Sequence, residues 1–207
     1  NTGIMHANCE YIGFMDNDDL LYPSMVERLY QSAKKNDCDI AVTSVYLVSN
    51  IEYANLVRYS IKEDEPITAD SFFRTYSYGH ELGVVVWNKL YRLSLVKKWE
   101  MPSIPYDDVA WTTCVLSYAD RICYLDDHSY EWDRRAQDSS QLDGWLKKSK
   151  QEMFEQRKGA IMFFMERGNP EKMHLLKEAA SAFLSRWENS FQEKEYGRLR
   201  DEIEKNF

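Results

Sequence analysis

The chain has 207 residues, with 26 lysine and arginine against 34 aspartate and glutamate, a formal net charge of −8 and a 44% hydrophobic share. That suffices for one sizeable globular domain, or one with an appendage. The acidic balance excludes a nucleic-acid surface spread over the whole protein, because phosphate contacts need a basic face. The four cysteines, Cys9, Cys38, Cys114 and Cys123, are scattered without metal or redox spacing. They read as buried thiols in a reducing compartment, the cytoplasm. No apolar run is long enough to span a bilayer and no secretory signal precedes the first element. The chain begins at Asn1 without an initiator Met, almost on top of its first strand, so it reads as part of something longer.

"EYIGFM" is apolar and aromatic and predicts a buried strand. After an acidic turn, "YPSMVERLYQSAKKND" predicts a helix, with Pro23 just before it and a capping-box pattern in Ser24 and Glu27. Met25, Val26, Leu29, Tyr30 and Ala33 fall on one face. "CDIAVTSVYLV" is a β-branched strand, residues 49 to 66 a loop or hairpin, and "TADSFFRTYS" a short helix capped by Thr68 or Asp70. "GVVVWNKLYRLSLVKKW" runs from strand into helix. "SIPYDDVAWTTCVLSYAD" places two aspartates before a helical pattern, and "RICYLDDHSYEWDRR" is another strand. From residue 143 the sequence is helical, with breaks near Gly168-Asn169-Pro170 and Gln192. The alternation predicts an α/β fold over 1–142 and a helical C-terminal region over 143–207.

The feature that asks for chemistry is "MDNDDL". Unpaired carboxylates at the mouth of a core repel each other and resist desolvation. In an extended chain Asp16 and Asp18 point the same way. They sit where a strand ends, the usual ligand end of an α/β sheet. A divalent ion held by one or two carboxylates and completed by substrate phosphates fits that geometry. An EF-hand loop fails, since Leu20 stands where an oxygen ligand is needed and Leu21 where Gly must turn. A phosphatase of the haloacid-dehalogenase type also ends a strand in Asp-x-Asp, with Asp107-Asp108 as its distal pair, but Leu20 fits its pattern poorly. The plainest alternative is an acidic helix-entry loop, with Asp19 at the turn or helix start.

Four segments together narrow the choice. "NTGIMHANCEYIGFMDNDDLLYP", "VVWNKLYRLSLV", "IPYDDVAW" and "YLDDHSYEWDRRAQDS" resemble, in order, segments of the family 2 glycosyltransferases of the GT-A fold. Asp107 stands where members often have Glu and Cys9 where Gly is usual. The resemblance implies a GT-A-like mixed sheet flanked by helices, N-terminally incomplete because the strands that carry the nucleotide-base pocket precede Asn1. It implies an inverting, Mn²⁺- or Mg²⁺-dependent transferase that moves a sugar from a nucleotide-sugar donor to a glycan or lipid-linked hydroxyl. A truncated, non-catalytic module is the rival reading.

By the same resemblance Asp16 contacts the donor and Asp18 the metal, with Asp16 and the late His128 as further metal ligands. Asp108 is the general base, and Asp107 orients it or bonds the acceptor. Trp87, Asn88 and Lys89 are candidate acceptor contacts, a Trp face being suited to stacking on a sugar. The alternative for that triplet is a core Trp87 and a solvated Lys89. Arg134 and Arg135 are candidates to grip diphosphate. Trp145, Phe154, Ile161, Phe163, Phe164 and Phe183 read mostly as packing against the catalytic domain. A homodimer contact or a peripheral contact with the inner face of an anionic membrane are the further uses of those helices.

Overall fold

The computed structural model describes residues 1–48, 55–57, 62–77, 83–133, 149–185 and 193–207. In chain order the elements are α1 (Thr2–His6), β1 (Tyr11–Gly13), β2 (Leu20–Leu21), α2 (Met25–Asn36), β3 (Ile40–Val48), β4 (Asn55–Val57), α3 (Ala69–Ser77), β5 (Lys89–Arg92), α4 (Leu93–Val96), α5 (Asp107–Ser117), β6 (Ile122–Asp133), α6 (Lys150–Arg167), α7 (Met173–Ser185) and α8 (Glu193–Asn206). They fall into two compact units. One takes Asn1–Thr75, Val86–Lys98 and Ala119–Lys147; the other takes Tyr76–Val85, Trp99–Tyr118 and Lys148–Phe207. Arg134, Arg135, Trp145 and most of the stretch read as a hairpin at 49 to 66 lie outside the described residues.

The first unit is built on a mixed sheet in the order β1-β5-β3-β6-β2, with β4 also on β3. β3 is its centre, parallel to β6 and antiparallel to β5 and β4. Residues 40 to 45 are all buried, as a continuous β-branched run should be in a strand covered on both faces. Asp39, just before β3, fastens three segments. Its Oδ1 accepts from Arg92 Nε at 3.1 Å, and its Oδ2 accepts from the backbone N–H groups of Asp120 and Arg121 at 2.8 and 3.3 Å.

β6 pairs with β3 in two stretches. Thr43 faces Leu125 and Val45 faces Tyr130, so residues 126 to 129 bulge out opposite Ser44 alone. His128 takes a left-handed φ of 53° there. Its backbone N–H donates to Ser44 Oγ at 2.9 Å. A bulge re-aims side chains that would otherwise alternate across the sheet.

α2 turns a narrower apolar stripe inward than its sequence predicts. Met25, Leu29 and Ala33 are buried at i, i+4 and i+8, but Val26 and Tyr30 are 51% and 43% exposed. Burying Leu29 alone stabilises by ~1.5–3 kcal/mol. The capping box expected at Ser24 is absent: that residue has helical dihedrals and its side chain makes no cap bond. The helix stops at Asp37, whose φ is 48°. Thr68 does cap α3, its Oγ1 accepting from Ser71 N–H at 3.2 Å. The strand expected from Gly83 onward begins only at Lys89, because Asn88 sits at φ 46°. Cys38, Cys114 and Cys123 are buried thiols as expected, but Cys9 is exposed.

In the second unit, α5 is buried from Ala110 to Ser117. Its Cys114 joins a core with Phe154, Ile161, Phe164, Leu176 and Leu184 of the C-terminal helices. Phe154, Ile161 and Phe164 are thus packed as expected, with Phe163 and Phe183 partly buried against the same cluster. The capping box that Ser24 lacks is made by Ser149 and Glu152 at the start of α6. Among the described residues no helix is long and apolar enough to cross a membrane.

Candidate functional site

The acidic turn follows β1 and is closed by Asp19 N–H donating to the Asp16 carbonyl at 3.3 Å. Carboxylate oxygens of Asp16, Asp18 and Asp19 all lie within 4.8 Å of one another. Their environments differ. Asp16 and Asp18 are exposed, whereas Asp19 is only 4% exposed.

Asp19 is committed to β6. Its Oδ2 accepts from the Tyr130 hydroxyl at 2.5 Å and its Oδ1 from Asp133 N–H at 3.1 Å. The same hydroxyl accepts from Asp16 N–H at 3.4 Å. One phenol thus spans the turn. Of the two places expected for Asp19, the turn or the helix start, the structure gives the turn, and it adds a tie to the last strand. Burial raises the Asp19 carboxyl above the ordinary carboxylate value, the bonds from Tyr130 and Asp133 oppose that, and the charges of Asp16 and Asp18 add to it. Burial, then the neighbouring Asp19, pushes the Tyr130 phenol well up, so it stays a hydrogen-bond donor.

Trp87, Asn88 and Lys89 lie inside the fold, 4%, 0% and 1% exposed. Trp87 stacks on Tyr130 at 4.7 Å and 14° and meets Trp132 at 5.5 Å. Asn88 donates to the Thr43 carbonyl at 2.8 Å and takes Lys89 Nζ on its Oδ1 at 2.7 Å. Lys89 is therefore not solvated. Trp87 thus backs the Tyr130 that bonds the turn, and Asn88 ties the start of β5 to β3.

Tyr130 was not singled out in the sequence. A usable signal is the alternation in "SYEWD": Tyr130 and Trp132 are two apart in a strand, share a face and both reach Trp87. His128 is not among the side chains that cluster at the turn. Its Nδ1 faces Asp126 Oδ1 at 3.7 Å and Ser44 Oγ at 3.4 Å.

Asp107 and Asp108 belong to the second unit, as the first two residues of α5 behind Tyr106 at φ 60°. Asp107 Oδ1 accepts from Asp108 N–H at 3.1 Å and Asp108 Oδ1 from Val109 N–H at 2.7 Å. Both are partly exposed. Carboxylates at a helix start complement its dipole and are held in place by it.

Two exposed carboxylates beside a third that is buried make a hard oxygen donor set of the kind that binds Mg²⁺ or Mn²⁺. The residues fit such an ion.

Residues 1–99 match the profile of the family described as Glycosyl transferase family 2. Among curated proteins the chain is 28% identical over 139 residues to the glycosyltransferase EpsJ of Bacillus subtilis, covering 63% of this chain and 39% of that protein. It is 25% identical over 163 residues to the cholesterol galactosyltransferase of Borreliella burgdorferi, covering 72% and 45% respectively. The chain thus spans less than half the length of these relatives. Among solved structures, S. aureus TarS 1-349 in complex with UDP-GlcNAc superposes with a TM-score of 0.64 at 18% identity, over 92% of this chain and 52% of that one. The same protein with UDP gives a TM-score of 0.62 at 19% identity, over 94% and 51%. The fold is GT-A-like, as the sequence resemblance implies.

Proposed function

We propose, from the match of residues 1–99 to the family 2 glycosyltransferases, that this chain is the metal- and acceptor-side part of such an enzyme, moving a sugar from a nucleotide-sugar donor to a hydroxyl. The observation that carries this reading is the acidic turn at the end of β1, with Asp16 and Asp18 exposed and Asp19 buried against Tyr130. Its placement in a GT-A-like fold, and UDP-sugar in the complexes of structural neighbours, support a nucleotide-sugar donor.

Asp18 and Asp16 would hold Mn²⁺ or Mg²⁺, which when bound neutralises charge on the leaving diphosphate. Asp16 also faces the donor. Tyr130, with Trp87 stacked on it, keeps the turn in register, so its carboxylates need no reorganisation when the donor arrives. Asp108 takes the proton from the acceptor hydroxyl. Its Oδ1 is oriented by Val109 N–H, and Asp107 steadies the same helix start. A single base on the acceptor side implies in-line displacement and inversion at the anomeric carbon. The acceptor is a glycan or lipid-linked saccharide.

The test is nucleoside diphosphate release from a panel of nucleotide sugars by the full-length protein, with and without Mn²⁺ and a mixed glycan acceptor. Release that needs both metal and acceptor supports the reading. Release of inorganic phosphate from simple phosphoesters, with none from any nucleotide sugar, returns the case to the phosphatase.

A further inference from the structure

The bulge in β6 opens a pocket of about 560 Å³, inside the range of roughly 300–1,000 Å³ in which small-molecule sites fall. Asp126, Asp127 and His128 line it from the bulge, and Tyr22, Arg28 and Tyr46 line it from the chain opposite. Its lining is tied to the strand that anchors the acidic turn. Tyr22 N–H donates to the Ser129 carbonyl at 3.0 Å, one residue before the Tyr130 that bonds Asp19.

At its base is a buried charge. The Asp127 side chain is 0% exposed. Its Oδ1 accepts from the hydroxyls of Ser129, at 2.5 Å, and of Thr43. Its buried Oδ2 has no hydrogen bond. Arg28 Nη1 stands 3.4 Å from that oxygen with its side chain 47% exposed. Holding a carboxylate in such a place is costly unless a cation is kept beside it. Asp127 therefore keeps the half-exposed guanidinium of Arg28 at the pocket.

We infer that this pocket is a saccharide subsite for an uncharged pyranose of the acceptor. Three features select that ligand class. A planar guanidinium and a partly exposed carboxylate, Asp126, offer donor and acceptor together, which suits vicinal hydroxyls. Two tyrosines supply aromatic surface for the apolar face of a sugar ring. Two carboxylates against one guanidinium disfavour a diphosphate, so the donor's phosphates belong at the acidic turn and not here. The assignment rests on the transferase reading for the word acceptor, but the pocket's taste for a neutral sugar stands on its own lining.

Ligand-observed saturation-transfer NMR on the full-length protein tests it, with the methyl pyranosides of glucose, galactose and N-acetylglucosamine as probes. At least one should bind, and Arg28→Ala or Asp126→Asn should weaken it by about tenfold or more, the loss of a charge-assisted hydrogen bond. Mn²⁺-dependent nucleotide-sugar binding should be unchanged in both folded variants. Binding of none of the probes overturns the inference, as does unaltered affinity in both variants. Displacement of the pyranoside by inorganic pyrophosphate, or by Mn²⁺ taken up at Asp126 and His128, also overturns it. If the wild type binds a pyranoside but no nucleotide sugar, the transferase reading fails and the subsite does not.

Discussion

The hydroxyl of Tyr130 donates to Asp19 at 2.5 Å while accepting from Asp16 N–H at 3.4 Å, so one buried phenol on the last strand spans both ends of the acidic turn. Tyr130→Phe should therefore unlatch the turn. We expect a loss of ~1–3 kcal/mol in urea unfolding, because a buried carboxylate loses its donor. Mn²⁺ affinity, read by electron paramagnetic resonance, should fall as well. Unfolding that matches the wild type, with intact Mn²⁺ binding, would leave the phenol without this role.

Asp19 has a folded-state pKa raised above the ordinary 3.8, burial being the first cause. The folded chain thus holds this proton more tightly than the unfolded chain. Its contribution to stability is present below about pH 3.8 and is lost as pH rises through the higher folded value. Asp19→Asn keeps one acceptor oxygen for Asp133 N–H, turns its amide N–H toward the Tyr130 hydroxyl, which can accept, and cannot titrate. Chemical unfolding from pH 3.5 upward should show the wild type losing stability relative to Asp19→Asn. Parallel profiles would mean that Asp19 titrates normally.

The helix starts offer a paired test. Ser149→Ala removes the capping box of α6 and should cost ~0.5–2 kcal/mol. Ser24→Ala should be nearly neutral, since that side chain caps nothing. Thermal unfolding of the two variants distinguishes them, and equal costs would contradict the assigned caps.

Those two serines also mark how far the sequence was legible. Ser24 and Ser149 carry the same Ser-x-x-Glu pattern, yet Tyr22, bonded to Ser129, draws the chain before α2 toward β6, where Ser24 takes helical dihedrals. Tertiary pairing won over local chemistry. The strands β1, β3 and β6 and the helices α2, α3 and α5 were readable from period and composition. The acidic turn was readable because three carboxylates after an apolar run have no packing rationale. What the sequence hid was long-range. Tyr130 is 111 residues from Asp19. The bulge at 126 to 129 leaves no trace beyond a polar interruption in a strand. The burial of Lys89 contradicts what its charge suggests and follows from its place in β5, next to the central strand.

Asp108→Asn should separate binding from chemistry. The amide oxygen can still accept from Val109 N–H, so α5 keeps its start. Donor affinity should be unchanged, while the transfer rate falls by about 10²–10⁴. Stopped assays over a donor titration give both numbers. A raised donor KM with an unchanged rate would remove Asp108 from the base role.

The most direct measurement is calorimetric titration of the full-length protein with a nucleotide-sugar panel, with and without Mn²⁺, repeated on Asp18→Ala. One donor should bind only with metal, and the variant should lose that binding by about tenfold or more. Metal-independent binding, or wild-type affinity in Asp18→Ala, would contradict the account.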